Sequence, residues 1–214
     1  MSVLALIDCG SGNLRSAAKA LERADAEVGS RLTVKVTADP HDVAAADRIV
    51  LPGVGAFADC MQGLAAVPGL VEALEESVLG RGVPFLGICV GMQLLATVGR
   101  EFGDHRGLDW IAGEVVPLSP DDPACRIPHI GWNGITPAHP HPLFRGIANE
   151  AYVYFVHSFV MRPCQLSYVL ATADYGGSFT AAVGRDNIAG VQFHPEKSQS
   201  VGLAILGNFL RWRP

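Results

Sequence analysis

The chain has 214 residues, of which 49% are hydrophobic and 17% charged, a composition that excludes a disordered chain and suffices for a substantial buried core. Its formal charge is −5, and no run of Lys or Arg indicates a partner such as nucleic acid or a membrane surface. The five cysteines are dispersed and form no C-x-x-C pair, which argues against a disulfide framework and a structural zinc site.

These cysteines favour a reducing compartment, so we expect a cytoplasmic protein. The N-terminal residues carry no basic region before their apolar run, which predicts a strand and not a signal peptide. No apolar run approaches the roughly 20 residues that span a bilayer, so we also expect no membrane segment.

Strands and helices alternate in the first half of the chain, with strands predicted at 3–7, 32–36, 47–51 and 83–88 and helices at 14–24, 57–64, 70–79 and 91–98. This alternation is typical of a parallel sheet with helices on its faces. The second half predicts short strands at 111–117, 125–136, 151–161, 167–175, 179–184 and 188–193. They either add antiparallel strands to the sheet or form a flanking β layer, before a last helix that begins near Ser198. We predict an α/β fold in one domain over residues 1–214, with a mostly parallel central sheet, flanking helices and added antiparallel strands.

A glycine-flanked cysteine, Cys89, joins the fourth predicted strand to the next predicted helix, in the pattern Gly87-Ile-Cys-Val-Gly91. This strand–turn–helix pattern is that of a nucleophile elbow, in which the glycines permit a tight turn. The N-terminus of a helix favours the thiolate. The N–H of Val90 is a predicted oxyanion donor, and Gln93, one helical turn further on, is predicted to face the substrate. We interpret the other four cysteines as packing residues.

The tripeptide His194-Pro195-Glu196 follows the predicted strand at 188–193. A thiol nucleophile needs a general base and a group that orients the base. A residue before proline is extended, and in an extended segment positions i and i+2 point the same way. We therefore predict that His194 is the base and that Glu196 orients it, although this tripeptide alone also fits an ordinary turn. Because His139 and His141 have no acidic companion, we predict no metal site.

The glycine loop Pro52-Gly53-Val54-Gly55 lies between a predicted strand and a predicted helix. It lacks the Lys-Ser/Thr pair of a P-loop and the third glycine of a dinucleotide fingerprint. We predict that Gly53, Val54 and Gly55 form the second half of an oxyanion hole, in which the Val54 N–H rotates into or out of the site. A simple tight turn explains the glycines almost as well.

The chain resembles the class I (triad) glutamine amidotransferases, with their flavodoxin-like architecture, and within them the glutaminase subunits of imidazole glycerol phosphate synthases. The matching motifs are Asp8-Cys-Gly-Ser-Gly-Asn-Leu14, Leu51-Pro-Gly-Val-Gly-Ala-Phe57, Gly87-Ile-Cys-Val-Gly-Met-Gln-Leu94, Pro128-His-Ile-Gly-Trp-Asn133, Tyr154-Phe-Val-His-Ser158 and Gly190-Val-Gln-Phe-His-Pro-Glu-Lys-Ser198. The resemblance implies that L-glutamine forms a thioester on Cys89 and releases ammonia, without a cofactor.

The same resemblance implies that ammonia passes to a (β/α)8-barrel cyclase, which forms imidazole glycerol phosphate and an aminoimidazole-carboxamide ribonucleotide in histidine biosynthesis. Because such a barrel needs about 250 residues, we expect it on a separate polypeptide, in a heterodimer. The interface residues carried over are Asn13, Trp132, Tyr154 and Lys197.

Two positions depart from the family's pattern: Cys9 stands where an aromatic residue is usual, and Phe159 where Tyr is frequent. They leave the chemistry unaffected and put fine interface detail in question. One alternative is a glutaminase that serves another acceptor, such as pyridoxal phosphate synthase or anthranilate synthase. The former has a Gly-Gly-Glu-Ser loop, which is absent here, and the latter has His where Met92 stands. A second alternative is a non-catalytic or redox-sensing module, against which the intact triad argues.

Overall fold

The computed structural model describes residues 2–10 and 13–214. Ser11 and Gly12, which belong to the predicted turn after the first strand, lie outside the described residues. Asn13 accepts a hydrogen bond from the Ser16 amide at 3.4 Å, so it caps the following helix. None of the helices in these ranges combines the length and the hydropathy of a bilayer-crossing segment.

The α-helices that the structure describes are α1 (Leu14–Val28), α2 (Pro40–Ala45), α3 (Phe57–Ala65), α4 (Leu70–Glu75), α5 (Val90–Gln93) and α6 (Gln199–Arg211). The strands are β1 (Ser2–Ile7), β2 (Leu32–Thr37), β3 (Arg48–Gly53), β4 (Phe85–Cys89), β5 (Val98–Gly99), β6 (His105–Arg106), β7 (Gly113–Pro117), β8 (His129–Pro137), β9 (Ala151–His157), β10 (Phe159–Pro163), β11 (Val169–Asp174), β12 (Ser178–Arg185) and β13 (Ile188–Val191). The hydrophobic pattern predicts almost all of these helices and strands, the exceptions being α2, β5 and β6.

The main sheet among the described residues has the strand order β2-β1-β3-β4-β13-β12-β11-β8-β9. The first five strands in this order are mutually parallel, and the last four add antiparallel pairs. The predicted mostly parallel sheet with antiparallel additions is therefore confirmed. The alternative of a separate β layer is realised as well, because β10, β7, β5 and β6 form a second, smaller sheet.

Helices α1 and α6 pack together beside the sheet. A β-carbon on Gly207 would lie 2.9 Å from the Cγ1 atom of Val28, which shows how closely the two helices approach. The apolar stripe of α6 is buried at Ile205, Leu206, Phe209 and Leu210 and partly buried at Val201. The parallel strands β1, β3 and β4 are buried almost throughout, as expected for strands covered on both faces.

The predicted helix at 91–98 is wrong in its length. Helix α5 ends at Gln93, and the carbonyls of Leu94 and Leu95 accept hydrogen bonds from the amides of Leu108 and Trp110. Because Leu94 and Leu95 are buried completely, their apolar character did not distinguish a helix from an irregular buried segment. The predicted strand at 151–161 is likewise two strands, β9 and β10, which separate at Ser158.

Candidate active site

The carboxyl ends of β3 and β4 lie side by side at one edge of the sheet. In their parallel pairing Gly53 is the partner of Cys89, so the glycine loop and the predicted nucleophile are direct neighbours. A β-carbon on Gly53 would lie 2.9 Å from the amide nitrogen of Gly91 and 3.0 Å from the Cβ of Val90. The glycine loop therefore packs against the turn that carries Cys89 because residue 53 has no side chain.

Cys89 has backbone angles of φ 55° and ψ −114°, in a region that residues with side chains rarely adopt. Strain of this kind costs about 1–3 kcal/mol and is concentrated at functional sites. The flanking glycines make the turn possible, since a β-carbon on Gly91 would lie 1.9 Å from the Leu51 carbonyl oxygen, and one on Gly87 would lie 2.5 Å from the Gly91 carbonyl oxygen. The geometry is that of a strained nucleophile elbow.

The predicted base and its orienter meet in the fold. Nδ1 of His194 lies 2.8 Å from Oε1 of Glu196, and both side chains are almost entirely buried. The segment is not extended throughout as predicted: His194 is extended, whereas Pro195–Lys197 forms a single 3-10 turn. That turn brings the carboxylate back to the ring, so the two groups meet by a route different from the one that the i, i+2 argument assumed.

Burial opposes a charge on the His194 ring, but hydrogen bonds with Cys89 and Glu196 outweigh it and raise the pKa of His194 to about 9. The ring is therefore protonated at neutral pH, with the thiol sulfur on one side and a carboxylate on the other. Such an arrangement stabilises a thiolate by charge and supplies a proton donor beside it.

A glutamine side chain that the sequence reasoning missed also reaches the sulfur. Nε2 of Gln192 lies 3.7 Å from Sγ of Cys89, and Oε1 of Gln192 accepts from Nε2 of Gln93 at 3.0 Å. The signal was present in the sequence, because Gln192 is the one polar residue in the apolar run at 188–193. A buried polar side chain in an apolar strand needs a partner, and here the partner is the predicted nucleophile.

A cavity of about 330 Å³ opens above Cys89. Of the residues predicted for the site, the cavity is lined by Val54, Gly55, Cys89, Val90, Gln93, His194 and Lys197. Gly53 lies behind this lining, against the elbow. Glu101, which the sequence reasoning missed, also lines the cavity, and its Oε2 accepts from the Phe57 amide at 2.8 Å, at the start of α3.

Of the residues predicted for an interface, Lys197 lines this cavity, and Tyr154 and Trp132 follow it in a chain of side-chain contacts. Trp132 and Tyr154 are partners across β8 and β9, with ring centroids 5.9 Å apart, and Nζ of Lys197 lies 5.8 Å from the centroid of the Tyr154 ring. Asn13 stands at the N-terminus of α1 and does not take part in this aromatic cluster.

Among the described residues no group of three or more His, Cys, Asp or Glu side chains is arranged to hold a metal ion.

Comparison with known protein families gives one matching model, glutamine amidotransferase class-I, which covers residues 5–212. Among curated proteins, the imidazole glycerol phosphate synthase subunit HisH of Caulobacter vibrioides is 59% identical over 214 residues, 100% of both chains. The protein of the same name from Rhodospirillum rubrum is 57% identical over 99% of both chains. That from Zymomonas mobilis is 59% identical over 100% of this chain and 97% of its own.

Solved structures share the fold at much lower identity. PurLQS from Thermotoga maritima matches with a TM-score of 0.70 and 18% identity, over 98% of this chain and 97% of that one. A glutamine amidotransferase from the same organism matches with a TM-score of 0.63 and 17% identity, over 91% of this chain and 76% of that one. These likenesses confirm the predicted architecture.

Proposed function

Because this chain belongs to the class I glutamine amidotransferases and is a glutaminase subunit by its relatives, we propose that it supplies ammonia within an imidazole glycerol phosphate synthase. In this proposal L-glutamine is hydrolysed at Cys89, and ammonia passes to a separate (β/α)8-barrel cyclase that forms imidazole glycerol phosphate and an aminoimidazole-carboxamide ribonucleotide. The chain acts as one catalytic domain, without a cofactor, in a cytoplasmic heterodimer. The observation that carries the proposal is the joint placement of Cys89 and His194 in one cavity, whose lining residue Lys197 lies 5.8 Å from the ring of Tyr154 beside the exposed Trp132.

The first half of the reaction is acylation of Cys89. The thiolate attacks the side-chain carbonyl carbon of glutamine, a C–S bond forms, and the carbonyl oxygen becomes an oxyanion. The amides of Val54 and Val90 are the donors that we assign to this oxyanion, since both residues line the cavity beside Cys89. As the intermediate collapses, the C–N bond breaks and His194 gives its proton to the leaving nitrogen, which departs as ammonia.

The second half is hydrolysis of the thioester. His194, now neutral and held by Glu196 at 2.8 Å, takes a proton from water as the water oxygen attacks the acyl carbon. A second oxyanion forms, the C–S bond breaks, and glutamate leaves while Cys89 returns to the thiolate paired with protonated His194. The new γ-carboxyl group loses its proton on release, so one glutamine and one water give one glutamate, one ammonia and one proton.

Two side chains in the cavity suit the amino-acid end of the substrate. The Glu101 carboxylate can pair with the α-ammonium group of glutamine, because it faces the cavity while it also accepts from the Phe57 amide. The Gln93 amide nitrogen already donates to Gln192 and to the Phe159 carbonyl. Its oxygen is therefore the group that remains to accept from the substrate.

An apolar strip supports the docking of a partner. Ile130, Trp132, Tyr152 and Tyr154 project from the same face of the paired strands β8 and β9, and the first three are 59%, 45% and 61% exposed. Exposed aromatic patches beside a catalytic cavity are typical of protein–protein interfaces. Lys197 and Val156 connect this strip to the cavity, so a subunit docked here would cover the mouth through which ammonia must leave.

The test of this proposal compares the wild-type chain with Cys89→Ala. Glutamate and ammonia release are measured with and without the partner subunit, and partner binding is measured by co-purification from cells of the source organism. We expect Cys89→Ala to abolish hydrolysis, to retain the partner, and to co-purify with a barrel cyclase. Full hydrolysis by Cys89→Ala would overturn the mechanism, and recovery of another synthase subunit would overturn the assigned acceptor.

A further inference from the structure

Two buried histidines, of which His157 lines the glutamine cavity, take no part in the triad. His129 and His157 are partners in the pairing of β8 and β9, and Nδ1 of His129 lies 2.9 Å from Nε2 of His157. They are 2% and 6% exposed. In a hydrogen bond between two buried rings, one ring must donate and the other must accept. The groups around the two rings determine which one donates.

The direction is set at the Phe159 carbonyl oxygen, which lies 3.0 Å from Nδ1 of His157. Since a carbonyl can only accept, Nδ1 of His157 carries its hydrogen and Nε2 is bare. Nε2 therefore accepts from Nδ1 of His129. Nε2 of His129 faces the amide nitrogen of Asn133 at 3.5 Å, which again is a donor. Both rings are thus neutral Nδ1–H tautomers, and a proton added to His157 would place two N–H groups against each other.

The surroundings of the two rings favour the neutral form. Burial lowers the pKa of His129 to about 4. Burial also lowers the pKa of His157 to about 4, against the effect of the Phe159 carbonyl and with help from the charges of His129 and His194. His129 is stacked between aromatic rings, those of Phe155 and Tyr175. None of the groups that hydrogen-bond the two rings is a carboxylate, so no negative charge is paired with either imidazole.

The chain of hydrogen bonds continues from the Phe159 carbonyl to the nucleophile. The same oxygen accepts from Nε2 of Gln93 at 3.1 Å, and Gln93 donates its second hydrogen to Oε1 of Gln192 at 3.0 Å. Gln192 in turn presents its amide nitrogen to Sγ of Cys89 at 3.7 Å. Each donor on this path meets an acceptor, from the β8–β9 pair to the sulfur.

We propose that His129 and His157 are positioning residues for glutamine hydrolysis, whose neutral pair fixes the Phe159 carbonyl and through it the Gln93–Gln192 amides that hold the Cys89 sulfur. The inference rests on the proposed function, because it concerns the same thiol. It also adds a connection to the partner: His129 and His157 are carried by the strands whose opposite face bears Trp132 and Tyr154. A partner that shifts these strands therefore moves the start of a path that ends at the nucleophile.

The tautomers are tested by NMR of the ring nitrogens in the full ¹⁵N-labelled chain, with His129→Gln and His157→Asn used for assignment. We expect His129 and His157 to show a protonated Nδ1 and a bare Nε2 from about pH 5.5 to pH 8, because protonation would break a buried donor–acceptor chain. An Nε2–H tautomer for either ring, or titration near the ordinary value of about 6.5, would overturn the proposal. This measurement does not depend on glutaminase activity.

The functional role is tested with His157→Leu and His157→Asn, because the amide nitrogen of Asn can replace Nδ1 as the donor to Phe159 whereas Leu cannot. We expect Leu to lower kcat and the rate of Cys89 alkylation by iodoacetamide together by about tenfold, and Asn to restore both to within about threefold. His139→Leu, in the exposed loop, serves as the matched control and leaves both rates unchanged. Both rates are measured with the ligand-loaded cyclase present. If the wild-type complex is active and His157→Leu equals it, the positioning role is wrong; if the wild-type complex is inactive, the proposed function itself fails.

Discussion

Gly53 packs directly against Gly91, so the loop after β3 and the turn after β4 form one continuous surface behind Cys89. A β-carbon at position 53 would lie 2.9 Å from the Gly91 amide nitrogen. The separation of the two turns, and with it the distance between the assigned oxyanion donors, therefore depends on the absence of a side chain at position 53.

Substitution Gly53→Ala is expected to separate the glycine loop from the elbow. Loss of one oxyanion donor typically lowers kcat by about 10²- to 10³-fold, and we expect a loss of that order with partner binding retained. Glutamate release under saturating glutamine measures it. Gly80→Ala is the matched control, because a β-carbon there meets the flexible end of the Glu76 side chain and not backbone. A Gly53→Ala variant with the wild-type kcat would refute the assigned packing of the oxyanion loop.

Substitution Glu196→Gln is expected to leave His194 in place but without its negative partner. The Gln side chain still places a polar group near Nδ1 of His194. It lacks the negative charge with which Glu196 raises the pKa of His194. General acid–base catalysis contributes about 10²- to 10⁴-fold, and we expect kcat to fall by about 10²-fold. Glu150→Gln, on an exposed turn, is the control. The assigned orienting role fails if Glu196→Gln turns over glutamine at the wild-type rate.

The charge on His194 makes both stability and activity fall at high pH. Its pKa is about 6.5 in the unfolded chain and about 9 in the fold. The resulting stabilisation is complete below pH 6.5, reaches about 3 kcal/mol, and is lost as the pH rises through 9. We expect kcat/KM to decline above pH 9, because the proton for the leaving ammonia is then missing.

The same titration has an internal control. Cys89→Ala removes a hydrogen bond that raises the pKa of His194, so its midpoint, followed by NMR of the ring, must lie lower than in the wild type. An unchanged midpoint would show that the thiol and the imidazole do not interact.

Truncation of the exposed strip is expected to weaken the subunit interface. Trp132→Ala removes a side chain that is 45% exposed and packs edge-on against Tyr154. Aromatic residues near the centre of an interface contribute about 2 kcal/mol or more, so we expect Kd to rise by about 30-fold or more. Leu166→Ala removes an apolar side chain exposed on another element and is the control. Titration calorimetry with the purified cyclase measures Kd for both variants. An equal Kd for Trp132→Ala and Leu166→Ala would exclude this face as the interface.

The isolated chain is expected to be a poor glutaminase that a ligand-loaded cyclase stimulates strongly. If the Val54 amide turns into the site on docking, the gain is that of one oxyanion donor, about 10²-fold or more. Steady-state glutaminase rates with and without the cyclase and its ligand measure it. Full activity of the chain alone would contradict a switch at Val54.

The order of helices and strands followed from hydrophobic periodicity because most elements here have one buried face or are buried throughout. The proposed triad was predicted from the chemistry of two short motifs, Gly87-Ile-Cys-Val-Gly91 and His194-Pro195-Glu196. Pairing between strands that are distant in the sequence could not be predicted in this way. Nothing local in Val98–Gly99 indicates that it pairs with Arg106 and Glu114, and nothing local in Glu101 indicates that it reaches the cavity.

Helix α2 was missed for a different reason. It has a local signature at its start. The Asp39 side chain caps the helix by accepting a hydrogen bond from the His41 amide, and Pro40 lies in the first helical turn. Its six residues bury chiefly Val43, so there was no periodic stripe to reveal it.

The exposed strip on β8 and β9 also bears on how such a protein is made. In a chain produced without a partner, Ile130, Trp132 and Tyr152 are exposed to water on the edge strand β9 and its neighbour β8. The exposed strips of two such chains can associate with each other. If the proposed cyclase covers this strip, synthesis of the two subunits in equal amounts would limit such association. For the laboratory, the proposed function favours co-expression with the cyclase as the route to soluble material.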